Sequence, residues 1–220
     1  MTKKAFKKSF LIIGMGNFGH HLCRELAKQH CEIMAVDAVA EAVEDVLSLV
    51  VSAKVGDCTN EEVLRSFGIA DFDACFVCVS SDFKNSLQIT SLLKELDAKK
   101  IICKANDDIH KKFLLRNGAD QVIYPEKEAA ISLAVSESSD DIFDCIPMTA
   151  EYSIYELKVP DRWVGKSIRE LSIRSEFRLN VLGLKIDGAI QPMPDANHVF
   201  REDEHVLVMG LVEDVRRLVH

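Results

Sequence analysis

Six short, largely apolar runs constrain the fold of this chain more than any other feature: Phe10 to Ile13, Ile33 to Val36, Val50 to Val55, Ala74 to Val79, Ile101 to Cys103 and Gln121 to Ile123. A strand that faces water on one side alternates apolar and polar residues. Runs that stay apolar at successive positions need cover on both faces, which parallel strands obtain from the helices that connect them. The intervening segments Phe18 to Lys28, Val39 to Leu49, Asn60 to Phe67, Phe83 to Leu96 and Asp108 to Asn117 read as those helices. Gly68 and Gly118 stand where two of them must stop, supplying the left-handed residue that closes a helix. Joined by right-handed crossovers, these elements predict an α/β fold, a Rossmann-like doubly wound parallel sheet in the order 3-2-1-4-5-6.

The loop Gly14-Met15-Gly16-Asn17-Phe18-Gly19 follows the first apolar run, opens the first helix and precedes a second run that leads to Asp37. Each glycine has its own task. Gly14 permits the tight turn, Gly16 leaves main chain bare for a phosphate, and Gly19 lets the helix close on the strand. Free N–H groups at the helix start attract the anion, and the macrodipole adds about 0.3 to 1 kcal/mol, up to about 2 in a partly buried site. Asp37 is placed to accept hydrogen bonds from a ribose diol. With no arginine in Ala38 to Ala42 it also repels a 2′-phosphate, which disfavours NADP and leaves NAD(H), ATP or ADP.

Ligands of open parallel sheets lie outside the carboxyl ends of the strands. Ala38, Asp57-Cys58-Thr59, Val79, Ser80, Ser81 and Lys104 therefore join the candidate site. Ser80 and Ser81 read equally well as a polar cap for the helix from Phe83, and Lys104 as a solvated strand-end lysine. His20, in the first helix, reads as a solvated or interface histidine sooner than a ligand contact, because a cation is unfavourable at a helix start.

Composition narrows the function classes. With 220 residues, 48% of them hydrophobic, the chain can bury a real core, and a net charge of −8 removes the general attraction to phosphate backbones that nucleic-acid binding needs. Met1 to Lys8 carries four lysines, but the apolar run that follows is far shorter than the roughly 7 to 15 residues of a signal peptide, and no stretch approaches a membrane span. Seven cysteines at irregular spacing suit a reducing cytosol. The Cys75-x-x-Cys78 pair lies in a strand, which sends the two thiols to opposite faces.

After Pro125 the pattern changes. A crossover helix is expected over 126–138, and a boundary at 140–150 divides a nucleotide-binding domain, 1–140, from a small α+β domain, 150–220. In the latter, Tyr152 to Val159 alternates with period 2 and Ser167 to Leu171 reads as a short helix. Val181 to Ile186 meets Ala189 and Ile190 across Asp187-Gly188, a hairpin signal; His205 to Leu211 reads as a strand and Val212 to Val219 as a closing helix. A core of this size, about 70 residues, leaves apolar faces that dimerisation would cover.

Catalytic groups are missing. Four residues after Tyr124, Tyr152 and Tyr155 stand Glu128, Glu156 and Val159, so no Tyr-x-x-x-Lys pair exists. No two histidines share a helix face at i, i+4, and no serine elbow is present. An enzyme is not expected. The alternative is an NAD-dependent oxidoreductase whose substrate site forms between subunits. A redox-sensing transcription factor is a further reading, opposed by the charge and by the lack of a helix-turn-helix pattern.

Several motifs together resemble one family. They are Gly14 to Gly19 with Asp37, Lys104-Ala105-Asn106, Asn117-Gly118-Ala119-Asp120 followed by Tyr124-Pro125-Glu126-Lys127, and Ser167-Ile168-Arg169-Glu170-Leu171. Over nearly its whole length the chain resembles the TrkA/KtrA family, the soluble regulatory subunits of bacterial potassium uptake systems, each built from an RCK nucleotide domain and a small C-terminal domain. A single unit of this length is similar to KtrA rather than to the doubled TrkA. The resemblance implies a homo-oligomer, an octameric ring of dimers, cytoplasmic and held at the inner face of the membrane by a separate potassium channel subunit. It implies control by ATP, ADP or NAD(H) and no catalytic turnover. Carried over residue by residue, Asp37 holds ribose, Asp57 to Thr59 approach adenine, and Glu126 brings Mg2+ or Ca2+ near the phosphates. Without the resemblance, Glu126 reads as a helix-start acid. In the C-terminal domain the resemblance points to cyclic di-AMP at Ile168, Ile173, Arg174 and Pro192, with apolar interface packing as the other role of Ile168 and Ile173. One departure stands out: where relatives carry an arginine for the terminal phosphate, this chain has Asn17.

Overall fold

The computed structural model describes residues 7–79, 82–149 and 151–219. Contacts divide the chain into two compact units, Met1–Pro125 and Glu126–His220. The first unit runs β1 (Ser9–Ile13), α1 (Asn17–Lys28), β2 (Glu32–Asp37), α2 (Ala40–Glu44), β3 (Ser52–Val55), α3 (Glu61–Arg65), β4 (Ala74–Val77), α4 (Phe83–Glu95), β5 (Ile101–Lys104), α5 (Asp108–Arg116) and β6 (Gln121–Ile123). Its strands form one sheet in the order β3-β2-β1-β4-β5-β6, every neighbouring pair parallel. The doubly wound order read from the sequence is the order found.

Two apolar layers explain the unbroken runs. Leu11, Ile13, Val36, Cys75, Val77, Ile101 and Cys103 pack on one face of the sheet. Ile12, Ile33 and Ala35, with Cys23 of α1 and the partly buried Phe76 and Cys78, pack on the other. Burying each large aliphatic side chain contributes about 1.5 to 3 kcal/mol, so a one-residue slip of β1 would still be apolar on both faces and register must come from the helices and loops. Cys75 and Cys78 do lie on opposite faces, and burial pushes both thiols up to about 12, where little thiolate forms at neutral pH.

Side chains written at the helix starts cap them. Asn60 Oδ1 accepts from Glu62 N, Asp82 Oδ1 from Asn85 N and Asp107 Oδ1 from His110 N. Gly68 and Gly118, with φ of 69° and 110°, end α3 and α5 as expected. The second helix is shorter than its pattern: beyond Glu44 the chain turns on hydrogen bonds from Val46 to Val43, Leu47 to Glu44 and Leu49 to Val46, the tighter i to i+3 spacing.

The second unit contains α6 (Pro125–Ser136, from Glu126 on), β7 (Ile142–Pro147), β8 (Tyr152–Lys158), α7 (Ile168–Leu171), α8 (Ile173–Glu176), β9 (Asn180–Ile186), β10 (Ala189–Pro192), β11 (His205–Leu211) and α9 (Val212–Val219). Its sheet has the order β10-β9-β11-β8-β7, all antiparallel. Trp163, Tyr155, Phe200, Leu157, Leu184, Val206, Val208 and Leu218 fill its core. Asp187 and Gly188, with φ of 49° and 77°, make the hairpin turn between β9 and β10. Ile142 to Pro147, which the sequence reading left in the boundary, is a full strand. A register shift between Ile142 and Asp144 breaks its period-2 signal. No helix among the described residues is long and apolar enough to cross a membrane.

Candidate functional site

The site sits where the sheet changes direction. β1 pairs with β2 on one side and β4 on the other, and the crossovers from these strands leave in opposite senses, opening a crevice at their carboxyl ends. Gly14, with φ of 95°, makes the turn and donates from its N–H to Val36 O at 2.8 Å. A Cβ at Gly14 would lie 2.9 Å from both the backbone N and Cγ2 of Val79, so Val79 forms the wall against which the loop is pressed. A Cβ at Gly19 would lie 2.0 Å from Gly14 O, closer than any contact can be. Both glycines are required by the protein's own packing.

Gly16 differs. It is exposed, its φ of −70° suits any residue, and a Cβ there would meet nothing within 4 Å. It is the N-cap of α1, with no capping side chain and no acid in the first turn. The N–H groups that open a helix lack intrahelical partners, so the space beside Gly16 is open and lined by donors, which fits a phosphate. Asn17 is exposed there and Phe18 half-buried.

Asp37 ends β2 and is held by the loop it faces. Its Oδ2 accepts from the backbone N–H of Met15 at 2.7 Å and its Oδ1 from Val39 N at 2.9 Å. Each carboxylate oxygen retains a lone pair for a further donor. His20 Nε2 donates to Ala42 O at 3.0 Å and so braces α1 against α2; the sequence had left it solvated or at an interface. Gly56 N donates to Asp37 O at 2.9 Å, which brings the end of β3 to the same edge. There Asp57 Oδ1 accepts from Thr59 N at 2.9 Å and Thr59 Oγ1 at 2.7 Å, hydrogen bonds that hold its carboxyl below the usual range. Gln88 of α4 donates to Thr59 O at 2.9 Å. Cys58 is buried beneath, its thiol pushed up to about 12 by burial and by the Asp57 and Asp37 carboxylates.

Ala38 is exposed beside Asp37, and Lys104 is half-buried at the end of β5. Ser80 and Ser81 lie outside the described residues. The other predicted contacts of the first unit thus come from the ends of β1, β2, β3, β4 and β5, on one edge of the sheet. Glu126 stands in the first turn of α6, in the second unit. Among the described residues no group of three or more His, Cys, Asp or Glu side chains could hold a metal ion. Ile168, Ile173 and Arg174 do come together in the second unit, lining an open recess of about 590 Å³ with Ser172 and Leu179, whereas Pro192 lies on β10 opposite Gly183 and is not part of its lining. The sequence reading does not reach Gln88, a polar residue set within an amphipathic helix whose only signal is its place in an otherwise regular pattern.

Comparison with known proteins matches residues 10–125 to the TrkA-N domain and residues 153–220 to the TrkA-C domain. The chain is 35% identical over 210 residues to Ktr system potassium uptake protein A of Bacillus subtilis (strain 168), covering 96% of this chain and 95% of that one. It is 31% identical over 211 residues to Ktr system potassium uptake protein C of the same organism, covering 96% of each. Among solved structures it is similar to the GsuK RCK domain, with a TM-score of 0.67 at 19% identity over 98% of this chain and 48% of that one. The GsuK channel bound to NAD gives a TM-score of 0.69, also at 19% identity, over 99% of this chain and 40% of that one. At that identity the structural likeness concerns the fold.

Proposed function

The chain belongs to the family of Ktr system potassium uptake proteins, built from a TrkA-N and a TrkA-C domain, and from that premise we propose that it is the nucleotide-sensing regulatory subunit of a potassium transport system. The observation that carries the reading is the open, donor-lined space at Gly16 beside the Asp37 carboxylate. A phosphate lodges against the main chain of Gly16 and Asn17, and the ribose diol donates to Asp37. The ligand is an adenine nucleotide, NAD(H), ADP or ATP, and a 2′-phosphate is excluded by the charge of Asp37. That GsuK structures are described with NAD and with ADP bound is in keeping with this choice.

The protein acts by binding rather than turnover and works in the cytoplasm beneath a membrane-embedded potassium channel subunit. It assembles with copies of itself into a ring, an arrangement supported by apolar side chains left exposed: Phe83, Ile109 and Phe113 on α4 and α5, and Ile131 and Leu133 on α6. Ligand exchange shifts the ring between two shapes in proportion to the nucleotide's differential affinity for them, about 1.4 kcal/mol for each tenfold change in ratio. Glu126 recruits a divalent cation, and the recess at Ile168, Ile173 and Arg174 takes a cyclic dinucleotide.

Small-angle scattering of the assembled protein with NADH, ADP and ATP, paired with potassium flux through the reconstituted transporter, tests the proposal. Scattering profiles and flux that change together with ligand support it. Tight binding that leaves both unchanged contradicts it.

A further inference from the structure

Glu204, the residue before β11, is completely buried in the second unit. Burying a carboxylate is costly unless it is hydrogen-bonded, and Glu204 is hydrogen-bonded at one oxygen alone. Its Oε2 accepts from the backbone N–H of Arg201 at 3.2 Å and lies 2.8 Å from Nε2 of His198. A carboxylate can only accept, so the imidazole donates through Nε2. Its Oε1 has no hydrogen bond among the described residues, and the exposed Arg201 guanidinium stands 3.8 Å away. The bond from His198 is therefore the tie that carries this buried group outward into the loop.

That loop, 193–204, joins β10 to β11. Asp195, Ala196, Asn197 and Val199 in it are exposed, while Phe200 enters the core. The exposed stretch nevertheless closes α7. The opening N–H groups of a helix lack partners inside the helix. Here Ile168 N donates to His198 O at 3.1 Å and Arg169 N to Ala196 O at 2.8 Å. The capping hydroxyl of Ser167 serves the third, Glu170 N, at 3.2 Å. The same Ile168 and Arg169 line the recess of about 590 Å³, together with Ser172, Ile173 and Arg174. One line of contacts thus runs from a buried carboxylate, through His198 and the loop, to the wall of the recess.

Resting on the reading of that recess as a cyclic dinucleotide site, we propose that His198 and Glu204 are positioning residues that hold Ile168 and Arg169 in their binding places from behind. Neither residue lines the recess. Their hydrogen bond orders the loop, and with it the first turn of α7, before the ligand arrives. Without it the ligand must order both on binding, and affinity falls by that cost.

Calorimetry of the full chain with cyclic di-AMP and with NADH tests this on the wild type, His198→Leu and His198→Gln. Leucine fills the place of the ring without a donor, and glutamine restores a donor near the place of Nε2. Affinity for cyclic di-AMP is expected to fall by about tenfold in His198→Leu, the scale of one hydrogen bond to a charged group, and to stay within about twofold of wild type in His198→Gln. NADH affinity should stay within about twofold in both. A merely structural role would lower the melting temperature of His198→Leu and leave its cyclic di-AMP affinity unchanged, which would overturn the inference; equal losses in the two variants would also overturn it, since the donor would then not matter. Should His198→Leu not fold, Glu204→Gln decides. It keeps the shape and removes the buried charge, so the weaker bond to a neutral acceptor should cost about threefold in cyclic di-AMP affinity, and wild-type affinity would overturn the inference. A wild type that binds NADH but no cyclic di-AMP would overturn the reading of the recess itself, and the inference with it.

Discussion

Asp37 Oδ2 accepts a 2.7 Å hydrogen bond from the backbone N–H of Met15, 22 residues away in sequence. The acid at the end of β2 and the glycine loop after β1 are thus one piece of structure before any ligand arrives. Preorganisation of this kind lowers the ordering cost of binding.

The two roles of Asp37 are separable by substitution. Asp37→Ala should weaken NADH and ADP binding by about 1.5 to 3 kcal/mol, the loss of hydrogen bonds to a charged acceptor. Asp37→Asn keeps one acceptor oxygen, enough for Met15 or Val39 but not for both, and lacks the charge, so it should bind NADP better relative to NAD than the wild type does. Calorimetric titration of each ligand checks both outcomes.

The three loop glycines should fail in different ways. Gly19→Ala places a methyl group 2.0 Å from Gly14 O and should destabilise the first unit by at least the 1 to 3 kcal/mol or so typical of overpacking, seen as a lower melting temperature. Gly16→Ala meets nothing in the protein. Its melting temperature should stay near that of the wild type while nucleotide binding is lost, because the methyl group occupies the phosphate's place. Lost folding at Gly16→Ala, or retained binding, would contradict the assignment.

His110 gives the first unit a pH dependence of defined sign. Burial lowers its pKa from the ordinary value of 6.5, against a smaller opposing effect of Asp107. The folded state therefore binds fewer protons than the unfolded state between the two values, and stability falls as pH drops from just above 6.5 toward the folded pKa. Melting curves between pH values of about 7.5 and 5 should show this decline in the wild type and a shallower one in His110→Asn. Equal slopes would assign the decline to other groups.

The buried thiols should be inert. With Cys58 and Cys75 buried and pushed up to about 12, iodoacetamide at neutral pH should label the half-exposed Cys31 before either, because only thiolate reacts. Peptide mass mapping of the native protein reads the order directly.

Much of this architecture was legible in the sequence because each signal was local. Runs without polar interruption announced parallel strands, and Asp187-Gly188 announced a turn whose two positive φ angles the structure contains. What escaped was non-local or irregular. β7 hid behind a bulge at Ile142 and Asp144. The second helix tightened after Glu44, although its apolar pattern continued. The tie from Asp37 to Met15 and the buried hydrogen bond between His110 of α5 and Ser86 of α4 depend on which segments become neighbours across the sheet, which composition and spacing do not encode.

A crystal of the protein grown with NADH most directly tests the central claim. The account expects the pyrophosphate against the main chain of Gly16 and Asn17 and the adenosine ribose hydroxyls on the Asp37 carboxylate. Nucleotide bound elsewhere, or a crevice empty at saturating ligand, would contradict it.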